Sequence, residues 1–106
     1  MTKIIGFDCD GTLEISNGPI SLKVLTELKA KGWKVGIAGN CQLVMTHLPN
    51  LDFYTGEPKG PNLRWRGKFF QKKILVGNRP EDEEVAKIAG WQFIHANNFK
   101  QELENL

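Results

Sequence analysis

Short apolar runs, each stopping at a polar turn that contains glycine and each followed by a stretch of helical spacing, constrain this chain most. Lys3 to Cys9 is rich in Ile and Phe and is bounded by Asp10-Gly11. Val35 to Ala38 runs into Gly39-Asn40, and Ile74 to Val76 into Gly77-Asn78. Runs of this length that are apolar throughout suit strands buried on both faces. Leu51 to Tyr54 and Trp91 to Ile94 add two more candidates. Between them, Ile20, Val24, Leu25 and Leu28 recur at helical spacing with Gly32 as a stop, and a short helix is expected before Pro49 with Asn40 as its N-cap. Leu63 to Phe70 is read as helical. Pro80 opens a further helix whose first turn is filled by Glu81, Asp82, Glu83 and Glu84, with Val85, Ile88 and Ala89 as its inner face. Asn98 to Leu106 is read as a last, polar helix.

Strands that alternate with helices pair in parallel through right-handed crossovers. The expected fold is therefore α/β: a three-layer Rossmann-like domain with a parallel sheet of about five strands. At 106 residues this is one domain, 1–106. A net charge of +2 is too near neutral to imply a nucleic-acid or membrane partner from the total alone. No apolar run approaches the roughly eighteen residues of a membrane span, and Asp8 interrupts the N-terminal apolar stretch before it resembles a signal peptide. Two cysteines, Cys9 and Cys41, are too few for a disulfide scaffold and lack metal-ligand spacing, so a reduced, cytoplasmic setting is expected.

In such sheets ligands bind at the carboxyl ends of the strands. Three polar strand ends qualify: Asp8-Cys9-Asp10-Gly11-Thr12, Gly39-Asn40 and Gly77-Asn78. If the strand alternation continues through the first, Asp8 and Asp10 share a face and Cys9 takes the other. Two neighbouring carboxylates call for a hard cation such as Mg²⁺ or for one protonated acid. Asp-Gly alone is also a common hairpin turn, which would pair Lys3–Cys9 with Thr12–Ile15.

Phe7-Asp8-Cys9-Asp10-Gly11-Thr12-Leu13 resembles the first motif of the haloacid dehalogenase-like (HAD) hydrolases, Asp-x-Asp-Gly-Thr-Leu after the first strand. Leu75-Val76-Gly77-Asn78-Arg79-Pro80-Glu81-Asp82 resembles the fourth motif of that superfamily. The resemblance implies a Mg²⁺-dependent phosphomonoesterase. Asp8 would be the nucleophile that forms an aspartyl-phosphate, and Asp10 the acid and then the base. Lys59, in Gly56-Glu57-Pro58-Lys59-Gly60-Pro61, would be the lysine of the third motif, with Lys72 and Lys73 as rivals. Mg²⁺ would be held by Asp8, Asp10, Asn78 and Asp82. Thr12, Gly39 and Asn40 would face the phosphate.

Two positions depart from the pattern. Gly39 replaces the Ser or Thr of the second motif, and Asn78 replaces the first acid of the fourth. They leave room for an alternative, a catalytically weak HAD-like domain that binds phosphate or a partner. Asp82 has a second reading too, as a helix-start charge that complements the dipole. Leu13 to Trp33 and Cys41 to Pro58 are too short to house a cap domain. A capless, open site suits a large or partner-presented phosphorylated substrate, a macromolecule or a nucleic-acid end among them. From Pro58 to Pro80 the charges are Lys59, Arg64, Arg66, Lys68, Lys72, Lys73 and Arg79, with no acid, and Trp65, Phe69 and Phe70 are interleaved. This run is either a helix with a solvated basic face or a polyanion-binding surface.

Overall fold

The computed structural model describes residues 2–39, 41–48 and 50–106, with only the backbone at Leu43. Five strands form one sheet: β1 (Lys3–Phe7), β2 (Lys34–Ile37), β3 (Phe53–Tyr54), β4 (Lys72–Gly77) and β5 (Gln92–His95). Their order is β3-β2-β1-β4-β5, and every pairing is parallel. The helices are α1 (Leu22–Ala30), α2 (Gln42–His47), α3 (Lys59–Arg66), α4 (Pro80–Ala89) and α5 (Phe99–Glu102). This is the three-layer, Rossmann-like α/β architecture that the strand–helix alternation predicts. No helix among the described residues is long and apolar enough to cross a membrane.

Alternation along β1 divides the core. Ile5 and Phe7 join Val35, Ile37, Ile74 and Val76 on one side of the sheet, against Leu25 and Leu28 of α1, Val44 of α2 and Phe99 of α5. Phe99 meets Phe7 edge-on, with ring centroids 5.4 Å apart. Ile4 and Leu75 face the other way, against Leu63 of α3 and Ala86 and Ala89 of α4. Position 8 continues the parity of Ile4 and Gly6, which directs Asp8 toward α3 and α4.

Several elements differ from the sequence reading. β1 pairs in parallel with β2 and β4, not as a hairpin with Thr12–Ile15. α3 begins at Lys59, not Leu63, and closes at Gly67. The Lys59-Gly60-Pro61 stretch, which looked like loop, is its first turn, where a proline removes no intrahelical hydrogen bond. In α4 the inner face is Asp82, Ala86 and Ala89, whereas Ile88 is 59% exposed. The C-terminal polar helix is a single turn flanked by 3₁₀ turns, anchored by buried Phe99.

The cysteines, expected to be reduced, are bonded to each other, with their Cα atoms 6.2 Å apart. Register explains their meeting. Phe7 pairs with Ile37, so chains leaving β1 and β2 emerge side by side.

Candidate functional site

Strand order reverses between β1 and β4, and a crevice opens there at the carboxyl ends of the strands. Asp8 follows β1 at this point, and its backbone N–H donates to the Val76 carbonyl of β4 at 2.8 Å. Only 4% of Asp8 is exposed. Its Oδ1 accepts a hydrogen bond from Lys59 Nζ at 3.0 Å, and its buried Oδ2 has no hydrogen-bond partner. The Arg79 guanidinium stands 3.9 Å from Oδ2.

Asp82 is the second buried acid, and it reaches the site from the first turn of α4. Its Oδ2 accepts from the backbone N–H groups of Asn78 and Arg79, both at 3.2 Å. Its Oδ1 lies 3.9 Å from Lys59 Nζ, and its Oδ2 lies 3.9 Å from Arg79 Nε. The carboxylate thus caps its helix and belongs to the charge cluster at once. Burial, first, and then the Asp8 charge push the Asp82 pKa above its ordinary 3.8, while Lys59 and the two backbone N–H groups pull it part of the way back. Two buried acids meet two cations here, Lys59 mostly covered and Arg79 half exposed.

Glycines make the close approach possible. A Cβ on Gly77 would stand 2.7 Å from the Asp82 side chain. Gly39 combines a φ of +119° with the Lys59 chain, which passes 2.9 Å from where a Cβ would sit. Where the family pattern has a hydroxyl, this chain therefore carries the stem of its lysine. The Gly39 N–H itself donates to Thr55 Oγ1 at 2.7 Å, so this amide is already engaged.

The remaining expected residues spread around the crevice. Thr12 is fully buried, and its hydroxyl lies 3.5 Å from Asn78 Oδ1, with Gly11 packed closely against the Asn78 amide. Asp10 is exposed in the turn beyond β1. The alternation expected to put Asp8 and Asp10 on one face ends with the strand, so one acid is buried and the other faces solvent. Asn40, expected as an N-cap and phosphate contact, lies outside the described residues. Lys72 and Lys73 belong to the first residues of β4, at the amino end of the sheet and away from Asp8.

Two contributors were not singled out from the sequence. Arg79 follows Gly77-Asn78 directly, and the rule that marked those residues extends one position further. Thr55 follows β3, a strand too short to carry a clear signal.

Among the described residues, no group of three or more His, Cys, Asp or Glu forms a ready metal cage. The fit to a hard cation rests instead on Asp8 Oδ2, a buried carboxylate oxygen without a hydrogen bond, with the Asn78 amide on the same rim. A scan against protein-family models finds no match, and searches of curated proteins and of solved structures find none either.

Proposed function

We propose that this chain is a HAD-like phosphoric monoester hydrolase, dependent on Mg²⁺ and working through an aspartyl-phosphate at Asp8. One observation carries the reading: a buried carboxylate at the switch point has one oxygen held by Lys59 and the other without a hydrogen bond, beside Arg79. Lys59 orients the nucleophile and, with Arg79, draws the phosphoryl oxygens into the crevice. Asp8 attacks phosphorus, and the bond from phosphorus to the ester oxygen breaks. Asp10, in the exposed turn, gives its proton to that departing oxygen. Ionised in this way, it then takes a proton from the water that attacks the acyl-phosphate, which releases inorganic phosphate and restores Asp8. Thr12, expected to face the phosphate, is fully buried and instead supports the Asn78 amide from behind.

Asp8, Asp10 and Asn78 would hold Mg²⁺, which when bound offsets the repulsion between carboxylate and phosphoryl oxygens. Asp82, expected as a further ligand, has both oxygens engaged and acts by fixing Lys59 and Arg79. The substrate is a phosphate ester large enough to use an open rim.

The engaged Gly39 amide favours a second reading, a domain that binds phosphate with little turnover. Hydrolysis of an aryl phosphate separates the two. Slow turnover that needs Mg²⁺ and falls to background in Asp8→Asn is expected. Equal rates for the two proteins in Mg²⁺ would end the enzyme reading.

A further inference from the structure

The outer surface of α3 and the turn after it carry the most exposed aromatic side chains among the described residues: Trp65 at 71% and Phe69 at 84%. Neither is part of a core, and each has a cation against its ring. Arg66 lies 5.6 Å from the Trp65 ring and Lys68 lies 5.6 Å from that of Phe69. Three hollows follow one another across this side. The first, of about 510 Å³, lies against Lys59, Arg79 and Asp82 at the crevice. It shares Gly60, Pro61 and Ile88 with a second of about 440 Å³, bounded by Arg64, Trp65 and Lys68. That one shares Trp65 and Lys68 with a third of about 310 Å³, reaching Phe69 and Lys34.

We infer that this track binds single-stranded nucleic acid, whose bases stack on Trp65 and Phe69 while Arg64, Arg66 and Lys68 follow its phosphates. Flat rings alternating with cations, of which Arg64 also donates to the Ile88 carbonyl at 2.7 Å, suit a strand with unpaired bases, because every base presents a π-face. Duplex DNA offers charge but no free faces. The acids beside the track lie at its ends: Glu57 and Glu81 next to the crevice, and Asp52, paired with Lys29, beside the third hollow. The middle is cationic and aromatic. A strand lying there directs one end to Lys59 and Asp8. That last placement rests on the phosphatase reading, whereas the binding does not.

The test uses an unphosphorylated, fluorescein-labelled oligothymidylate, so that no reaction is required. Fluorescence anisotropy of the whole chain is expected to show binding that weakens linearly on a log–log plot against salt. Trp65→Ala and Phe69→Ala should each weaken it roughly tenfold, and Lys68→Glu should reduce the salt slope. Both rings are exposed, so circular dichroism should show these variants folded as the parent is. The probe carries no phosphate monoester, which keeps this result separate from any failure of catalysis. Absence of binding at low salt would overturn the proposal, as would equal affinity for duplex or for poly-glutamate, or wild-type binding by both aromatic variants. Poly-glutamate binding would point instead to an acidic protein partner.

Discussion

The two faces of the sheet are built differently. On one, α1, α2 and α5 close over a continuous apolar layer that runs from Leu25 and Leu28 to Phe99. On the other, α3 and α4 cover a thinner core, and their remaining surface places Lys59 and Asp82 at the crevice and leaves Trp65 and Ile88 in the open. Side chains that close a core cannot also face a ligand. The first layer serves as scaffold, and the second gives up some apolar burial to place charges beside Asp8.

This contrast is broken most sharply by truncation. Leu25→Ala empties a fully buried position under α1 and is expected to cost about 2–5 kcal/mol. Trp65→Ala, although it deletes a larger side chain, should shift stability by no more than about 0.5 kcal/mol. Denaturant unfolding of the two variants measures both. Comparable losses would mean that Trp65 belongs to a core and that the α3 face is scaffold as well.

A smaller effect sharpens the account of the rim. Asn78→Asp adds a carboxylate near Thr12 and Asp8. With a cation to face, it should tighten Mg²⁺ binding by about 1–3 kcal/mol in calorimetric titration. Without one, it adds like charge and lowers the melting temperature. Lower stability with unchanged Mg²⁺ affinity would remove Asn78 from the metal site.

The smallest expected effect concerns Asp82. A carboxyl whose pKa is raised by folding binds its proton more tightly in the native state. Its contribution to stability is therefore largest below the unfolded value and is lost as pH rises through the native one. Relative to Asp82→Asn, the wild type should thus lose stability as pH rises through the acidic range just above 3.8. Melting curves of both proteins across that range test the sign. A difference that grows in favour of the wild type would show that the ion pairs to Lys59 and Arg79 outweigh burial and the Asp8 charge.

How much of this was legible in the sequence follows the physics of each signal. β1 and β4 stood out because strands buried on both faces are apolar throughout, and Asp8 stood out because it ends such a run. Lys59 is legible only through the resemblance of its loop to the third motif, and its helix is not. Gly60 and Pro61 are poor in helix interiors, and only the first turn, where N–H groups have no partner, accommodates them. Ile88, an apolar residue expected on the inner face, is exposed. The helix instead turns Ala86 and Ala89 to the sheet, where α4 packs closely, and carries Asp82 inward with them. Thr55 and the meeting of Cys9 with Cys41 depend on which strands are neighbours, and strand order is not written in local pattern.

Asp8 is the group proposed to carry the phosphoryl, and trapping its phosphorylated form tests that most directly. The protein is mixed with an aryl phosphate and Mg²⁺, quenched in acid during turnover, digested and examined by mass spectrometry. The expected result is a phosphoryl adduct on the peptide that contains Asp8, absent from Asp8→Asn. Turnover that proceeds with no adduct on that peptide, or with the same adduct in Asp8→Asn, would contradict the account.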